Sequence, residues 1–283
     1  MNEQLNDEVA GKLEEAAVLL SDQGANPFRV RAYRQAASTL RQLREPVSMI
    51  LSAEGVEGLE RIPGIGQSLA RAIHDIVRLG YLPMLERLRG DTDPERLLAS
   101  VPGIGPRLAR RLHEELGLET LQDLEAAAHD GRLELLAGFG PKRLAGVSDV
   151  LAQRLARVRA HPEQKRELPT VAELLDVDRE YREGARSGRL PKIAPRRFNP
   201  DERQWLPILH TSRGDRHYTA LFSNTARAHR MGKTDDWVVI YLEHDGMDGQ
   251  WTVVTGTGGP LRNRRIVRGR EAECSAHYGL VAA

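Results

Sequence analysis

The chain has 283 residues, 40% hydrophobic and 29% charged, enough apolar material for two or three domains with buried cores. No run of about 18 apolar residues occurs, which argues against a membrane-spanning helix, and the acidic start Met1-Asn2-Glu3-Gln4-Leu5-Asn6-Asp7-Glu8 has no secretory apolar stretch. One cysteine, Cys274, excludes an intrachain disulfide and a cysteine-based zinc cluster, so the expected compartment is the reducing cytoplasm, and a net charge of +1 does not by itself argue for nucleic acid.

From Leu5 to Gly146 apolar residues recur at spacings of three and four, as in Leu13, Ala16, Ala17 and Leu20, which predicts a string of short helices punctuated by Gly and Pro. Asn26-Pro27 reads as a helix start, with Asn26 as N-cap and Pro27 in the first turn. Two stretches repeat: Ile62-Pro63-Gly64-Ile65-Gly66-Gln67-Ser68-Leu69-Ala70 and Val101-Pro102-Gly103-Ile104-Gly105-Pro106-Arg107-Leu108-Ala109. A weaker third copy follows at Leu136-Ala137-Gly138-Phe139-Gly140-Pro141-Lys142-Arg143. The polar stretch from Arg159 to Pro169 reads as a linker, residues 171–185 as one more helix, and the proline-rich segment 190–200 as extended chain. Beyond it, β-branched and aromatic runs predict strands at 205–210, 217–222, 237–243, 250–255 and 265–267, with a helix near 224–231 across the sheet. The expected fold is α+β. A helical domain at 1–90, a second at 91–160, a linker and helix at 161–200 and an antiparallel-sheet domain at 201–283 make it up.

Each repeat has the spelling of a helix-hairpin-helix turn. Two glycines flanking one apolar residue permit backbone conformations closed to side chains and allow close approach of a ligand. The apolar residue plugs the space between the helices. The hairpin amides and the start of the second helix then form an anion site suited to a DNA phosphate. Main-chain donors doing this work would let residues 1–160, with 21 basic against 23 acidic side chains, still bind DNA. Gly64, Ile65, Gly66 and Ser68, and Gly103, Ile104 and Gly105, are the expected contacts, supplemented by Arg71, Arg107, Arg110, Arg111, Lys142 and Arg143.

Asn26-Pro27-Phe28-Arg29-Val30-Arg31-Ala32-Tyr33-Arg34-Gln35-Ala36-Ala37, together with Pro63-Gly64-Ile65-Gly66, Gly80-Tyr81-Leu82 and the second hairpin, resembles the N-terminal lyase and fingers regions of family X DNA polymerases over about residues 4 to 160. The resemblance implies DNA binding, a Na+ or K+ ion held by the backbone carbonyls of Ile62, Ile65, Val101 and Ile104, and a pocket for a DNA 5′ end at Arg29 and Tyr33. Equally, Tyr33 fits a core residue and Arg29 a surface one. The family's chemistry does not carry over. Its lyase needs an amine nucleophile, normally a lysine after the first hairpin, whereas Gln67-Ser68-Leu69-Ala70-Arg71-Ala72-Ile73-His74 has none and arginine does not deprotonate. Its palm needs an Asp-x-Asp pair in a Gly-Ser setting. Asp176-Val177-Asp178 instead lies in a helical pattern, where the carboxylates diverge and read as solvated, and Glu243-His244-Asp245 reads as turn chemistry.

His210 and His217 would face each other across a two-residue turn at Arg213-Gly214, a geometry that could hold a metal. The run from Gly256 to Arg270 carries Arg262, Arg264, Arg265 and Arg268. It reads as a basic patch tracking a nucleic-acid backbone, or as a solvated edge strand. The expectation is a DNA-binding protein acting in repair or recombination on gapped or ended DNA, independent of sequence. It would lack polymerase or Schiff-base lyase activity and require no cofactor, and the C-terminal domain would clamp DNA or dock a repair partner. The alternative is a DNA-repair lyase, nuclease or nucleotidyltransferase with a relocated active site in the C-terminal sheet.

Overall fold

A computed structural model describes residues 2–90, 94–119, 121–129, 131–159, 168–244 and 247–280; the expected linker at 159–169 lies mostly outside them. Helix α1 (Asn2–Asp22) buries Val9, Leu13, Ala16, Ala17 and Leu20 along one face. It packs on α2 (Pro27–Gln42), whose buried stripe is Val30, Tyr33, Ala36, Ala37 and Leu40. Small residues on both faces let the helix axes approach closely. At the start of α2 the Asn26 side chain accepts the Phe28 amide at 2.9 Å, and Pro27 occupies the first turn, as the sequence predicts. Then follow α3 (Val47–Glu60), α4 (Gln67–Leu79), α5 (Pro83–Leu88), α6 (Pro94–Ala99), α7 (Pro106–Leu116), α8 (Leu121–His129), α9 (Pro141–Arg159) and α10 (Val171–Arg186).

The remaining elements are β1 (Lys192–Ile193), β2 (Leu206–Arg213), β3 (Arg216–Phe222), α11 (Ala226–Arg230), β4 (Val238–His244), β5 (Met247–Thr255), β6 (Arg265–Val267) and α12 (Glu271–His277). The strands form one antiparallel sheet in the order β1-β2-β3-β4-β5-β6. The α+β reading holds.

The chain divides into two compact units, and the strands are shared between them. The first comprises residues 1–92, 181–221 and 242–249, the second residues 93–180, 222–241 and 250–283. Each unit has its own helices and its own strand segments.

In the first unit the β2–β3 turn falls at Gly214-Asp215, with Arg213 opposite Arg216. This register corrects the expected His210–His217 pair. His210 lies opposite Thr219, with Nδ1 at 3.0 Å from the Thr219 hydroxyl, while His217 Nδ1 is 2.8 Å from the Ser212 hydroxyl. The other ring nitrogen of His210 meets Gln23 Oε1 at 3.0 Å, and Gln23 donates to Leu88 O at 2.7 Å. Beside it Arg29 and Glu243 form a buried ion pair, so Glu243 is not part of a solvated turn. Burial alone would raise the Glu243 carboxyl, but Arg29 and Arg87 outweigh it and hold the group below the usual carboxylate range.

In the second unit Asp176 pairs with Arg179 on the surface, and the two carboxylates diverge as expected. Asp178, however, is 1% exposed and takes the Arg265 guanidinium through Nε at 3.0 Å and Nη2 at 2.6 Å. The third arm of that fork, Nη1, reaches Asp236 Oδ1 at 2.6 Å. Asp178 is thus an interior ion-pair carboxylate, which corrects the solvated reading.

Burial, and then the nearby Arg29 charge, depress the His210 pKa from 6.5 to about 4. In the unfolded chain the ring titrates near its ordinary value. Between those values the unfolded state binds the extra proton, so this contribution is complete above pH 6.5 and is lost as pH falls toward 4. The melting temperature should therefore drop across that window, and His210→Gln should flatten the dependence. Removing one partner of the buried pair, as in Glu243→Ala, should cost about 3 to 5 kcal/mol in a denaturant titration.

Candidate nucleic-acid interface

Three turns share one construction. In the first, Ile65 N donates to Ile62 O at 3.0 Å; in the second, Ile104 N to Val101 O at 3.0 Å; in the third, Phe139 N to Leu136 O at 3.0 Å. Ile65, Ile104 and Phe139 are buried plugs, as the spelling implies. The first glycine of each pair has positive φ: +85° at Gly64, +89° at Gly103 and +100° at Gly138. Glycine is needed there because a side chain in that region strains the backbone.

The second glycine is different. Gly66 (φ −82°, ψ 177°) and Gly105 (φ −82°, ψ 170°) adopt angles open to any residue. A Cβ added at Gly66, Gly105 or Gly140 would meet no atom of the protein within 4 Å. Neither the backbone angles nor the available space requires glycine at these positions, although glycine is a better N-cap than alanine or an apolar residue. What glycine leaves there is access: Gly66 and Gly105 are the N-caps of α4 and α7, carry no capping side chain and have open surroundings. In α7 Pro106 has no N–H and Leu108 N donates to Gly105 O at 3.0 Å, so the Arg107 amide is the first-turn donor concerned. Uncovered amides at a helix start carry positive potential and bind anions.

Between the second and third turns lies an open groove of about 560 Å³, with Gly103, Gly138, Gly140 and Gly146 among its lining residues and Lys142, Arg143 and Val147 beside them. Gly146 is within α9 and also has open space where a Cβ would be. A helix-interior glycine costs about 1 kcal/mol relative to alanine. Its presence here removes one side chain from a groove that Pro102, Pro141, Val147 and Val150 also line.

The cations at this surface differ in availability. Arg107, Arg110, Lys142 and Arg143 are exposed, as is the neutral Ser68, and Arg71 is half-buried. Arg110 makes a loose 3.4 Å contact with Glu95, while Arg143 donates to Gly138 O within its own turn. Arg111 is committed to Glu115 and to Ala137 O at 2.5 Å. Arg107 and Lys142 make no ion pair among the described residues.

Elsewhere the structure separates residues that the sequence grouped. Arg29 is paired with Glu243 inside the first unit, and Tyr33 is 6% exposed with its hydroxyl 3.2 Å from Met84 Sδ. Both are interior, so Tyr33 takes the core alternative and Arg29 neither. In the arginine run, Arg262 and Arg264 are exposed. Arg265 is the fork on Asp178 and Asp236, and Arg268 lies 4.0 Å from the buried Glu119 and 4.6 Å from the Trp237 ring centre. Burial raises the Glu119 carboxyl, and the Arg268 charge offsets only part of that effect.

Sequence reasoning overlooked the outer face of α2. Phe28 is 75% exposed with the Arg31 guanidinium 5.7 Å from its ring centre, and Arg34 is exposed one turn on. Gln35 continues this face to the first turn, its Cγ 3.3 Å from where a Gly64 Cβ would stand. The signal was available: residues 28, 31 and 35 share a helix face opposite the apolar stripe.

Residues 4–82 match the family described as "Helix-hairpin-helix domain", and residues 95–157 match "SAM-like Helix-hairpin-helix tandem". The chain carries two helix-hairpin-helix domains. They indicate nucleic-acid binding. The tandem match spans both the second and third turns, consistent with the third copy having the same backbone bond as the other two. Neither match specifically indicates family X polymerases. Comparison with curated proteins gives no match.

The two kinds of glycine act differently. Gly66→Ala, Gly105→Ala and Gly140→Ala should strain no backbone and should each cost at most about 1 kcal/mol, the difference between a glycine and an alanine at a helix start, yet together should weaken nucleic-acid binding. Gly103→Ala should destabilise by about 1 to 2 kcal/mol through backbone strain. Calorimetry and fluorescence anisotropy on the same samples check both.

Proposed function

We propose that the protein binds DNA through its phosphate backbone, independent of sequence, with the three hairpin turns as the main contacts. The observation that carries this reading is the set of second glycines, whose backbone angles and open surroundings would admit other residues and whose lack of a side chain leaves the helix starts accessible to a phosphate. Arg71, Arg107, Arg110 and Lys142 supplement the main-chain donors. The exposed Phe28, with Arg31 beside it, supports a preference for gaps or ends. An aromatic face of this kind stacks on a base that has lost its partner.

We place this binding in DNA repair or recombination, on the partial resemblance of residues 4 to 160 to the lyase and fingers regions of family X polymerases. The role proposed is non-catalytic in that family's terms. Helix α4 has no lysine to form a Schiff base, and Asp178 and Asp236 are both engaged by the Arg265 guanidinium. The Na+ or K+ ion implied by the same resemblance would sit on carbonyls of the first two turns. Ile62 O and Val101 O each accept one turn amide, which leaves a lone pair apiece; a cation there would stiffen the turn.

Anisotropy titrations of two unrelated duplexes should give equal affinities and equal, steep salt dependences, with gapped DNA bound more tightly than intact duplex. A 5′-sugar-phosphate substrate should give no borohydride-trapped adduct. Strong preference for one duplex sequence, or a trapped adduct, would contradict the proposal.

A further inference from the structure

The five arginines between 262 and 270 do not form one patch. Three are used by the fold. Arg265 forks onto Asp178 and Asp236, Arg268 faces Glu119, and Arg270 pairs with Glu273 and donates to Pro169 O at 2.7 Å. Those contacts also consume the nearby acids, and Glu271 accepts the Gly269 amide at 2.9 Å. Arg262 and Arg264, both exposed, have no carboxylate partner among the described residues.

Both arginines are carried on a loop that the backbone closes. Gly256 N donates to Arg264 O at 2.8 Å and Asn263 N returns to Gly256 O at 2.9 Å, so residues 256–264 are pinned at their neck. Leu261, 8% exposed, anchors the loop from inside. A Cβ at Gly256 would lie 2.3 Å from Leu261 O, so the neck closes only with glycine there. Asn263 has φ +63°, a left-handed conformation that asparagine tolerates better than most residues. The Arg264 guanidinium lies 4.7 Å from the Tyr278 ring centre, and Tyr278 is itself held by its hydroxyl on Arg265 O at 2.7 Å. Stacking uses the face of the guanidinium and leaves its in-plane N–H donors for a second partner.

Thr257, Gly258, Gly259 and Pro260 beside them are exposed. Gly258 repeats the property of the hairpin glycines: it has ordinary extended angles (φ −148°, ψ 169°) and nothing within 4 Å of an added Cβ. The loop thus combines two uncompensated arginines, a pinned backbone and a glycine that the fold does not demand.

We infer that the closed loop 256–264 is a second phosphate-contacting element for a nucleic-acid backbone, through Arg262 and Arg264. It belongs to the same compact unit as the tandem hairpins, and the inference rests on the reading of those hairpins as phosphate sites. Backbone phosphates fit better than an acidic peptide, because planar forked donors over an open glycine surface suit closely approaching phosphates.

The test is the salt dependence of duplex binding by the full chain and by Arg262→Gln/Arg264→Gln. Loss of two phosphate contacts should make the slope of log K against log salt shallower by about 1.8, alike for all sequences. Gly256→Ala, which retains both arginines but opens the neck, should shift the slope the same way. If binding still depends on Gly105 and Gly140 while the arginine double variant keeps the wild-type slope, the loop inference fails and the hairpin reading stands. If the wild-type chain does not bind duplex at all, both fail. Loss of poly-glutamate binding with an unchanged DNA slope would assign the loop to an acidic polypeptide and overturn the inference.

Discussion

Uncapped main-chain amides at the starts of α4 and α7 are the feature around which the functional reading is built. A helix start often has a first-turn donor covered by a Ser, Thr, Asp or Asn side chain, and glycine in that place costs only about a few tenths of a kcal/mol by comparison. Here glycine stands at both N-caps, and the same residue recurs at Gly140 before α9. The protein gives up that small increment and exposes donors whose partial charge does not depend on lysine or arginine. A chain with net charge +1 can then hold a polyanion locally, where a uniformly basic surface would otherwise be needed.

The same economy appears in how the arginines are used. Of the 41 basic residues, several that looked available in the sequence are interior. Arg29 is spent on Glu243, and Arg265 on Asp178 and Asp236. Each of these pairs joins a helix to a strand within its own unit, α2 to β4 in the first and α10 to β6 in the second. A buried ion pair contributes little net stability against a well-packed apolar substitute, but breaking it is costly. Each pair thus ties the position of its helix to that of its strand.

Legibility in the sequence followed the range of the interaction that decides each feature. Turns and caps are local, so Asn26-Pro27, the three Gly-x-Gly turns and α10 were readable from adjacent residues. Strand positions were readable too, but register was not. Placing the turn at Arg213-Gly214 puts His210 opposite His217, and moving it one residue to Gly214-Asp215 puts His210 opposite Thr219. The sorting of the arginine run was partly encoded, since Arg265 shares a strand face with the buried Val267. Its carboxylate partners, 29 and 87 residues away, were not. Glu119 and its neighbour Arg268 had no sequence signal, because both the burial and the pairing arise from tertiary packing.

If main-chain amides carry the binding, an amide-resolved titration sees it directly. Adding a short DNA duplex to the 15N-labelled chain should shift the amides of Gly66 to Leu69, of Gly105 and Arg107, and of Gly140 and Lys142 more than those elsewhere, with largely the same set moving for an unrelated duplex. Shifts confined to the sheet, with those hairpin amides unmoved at saturating DNA, would contradict the account.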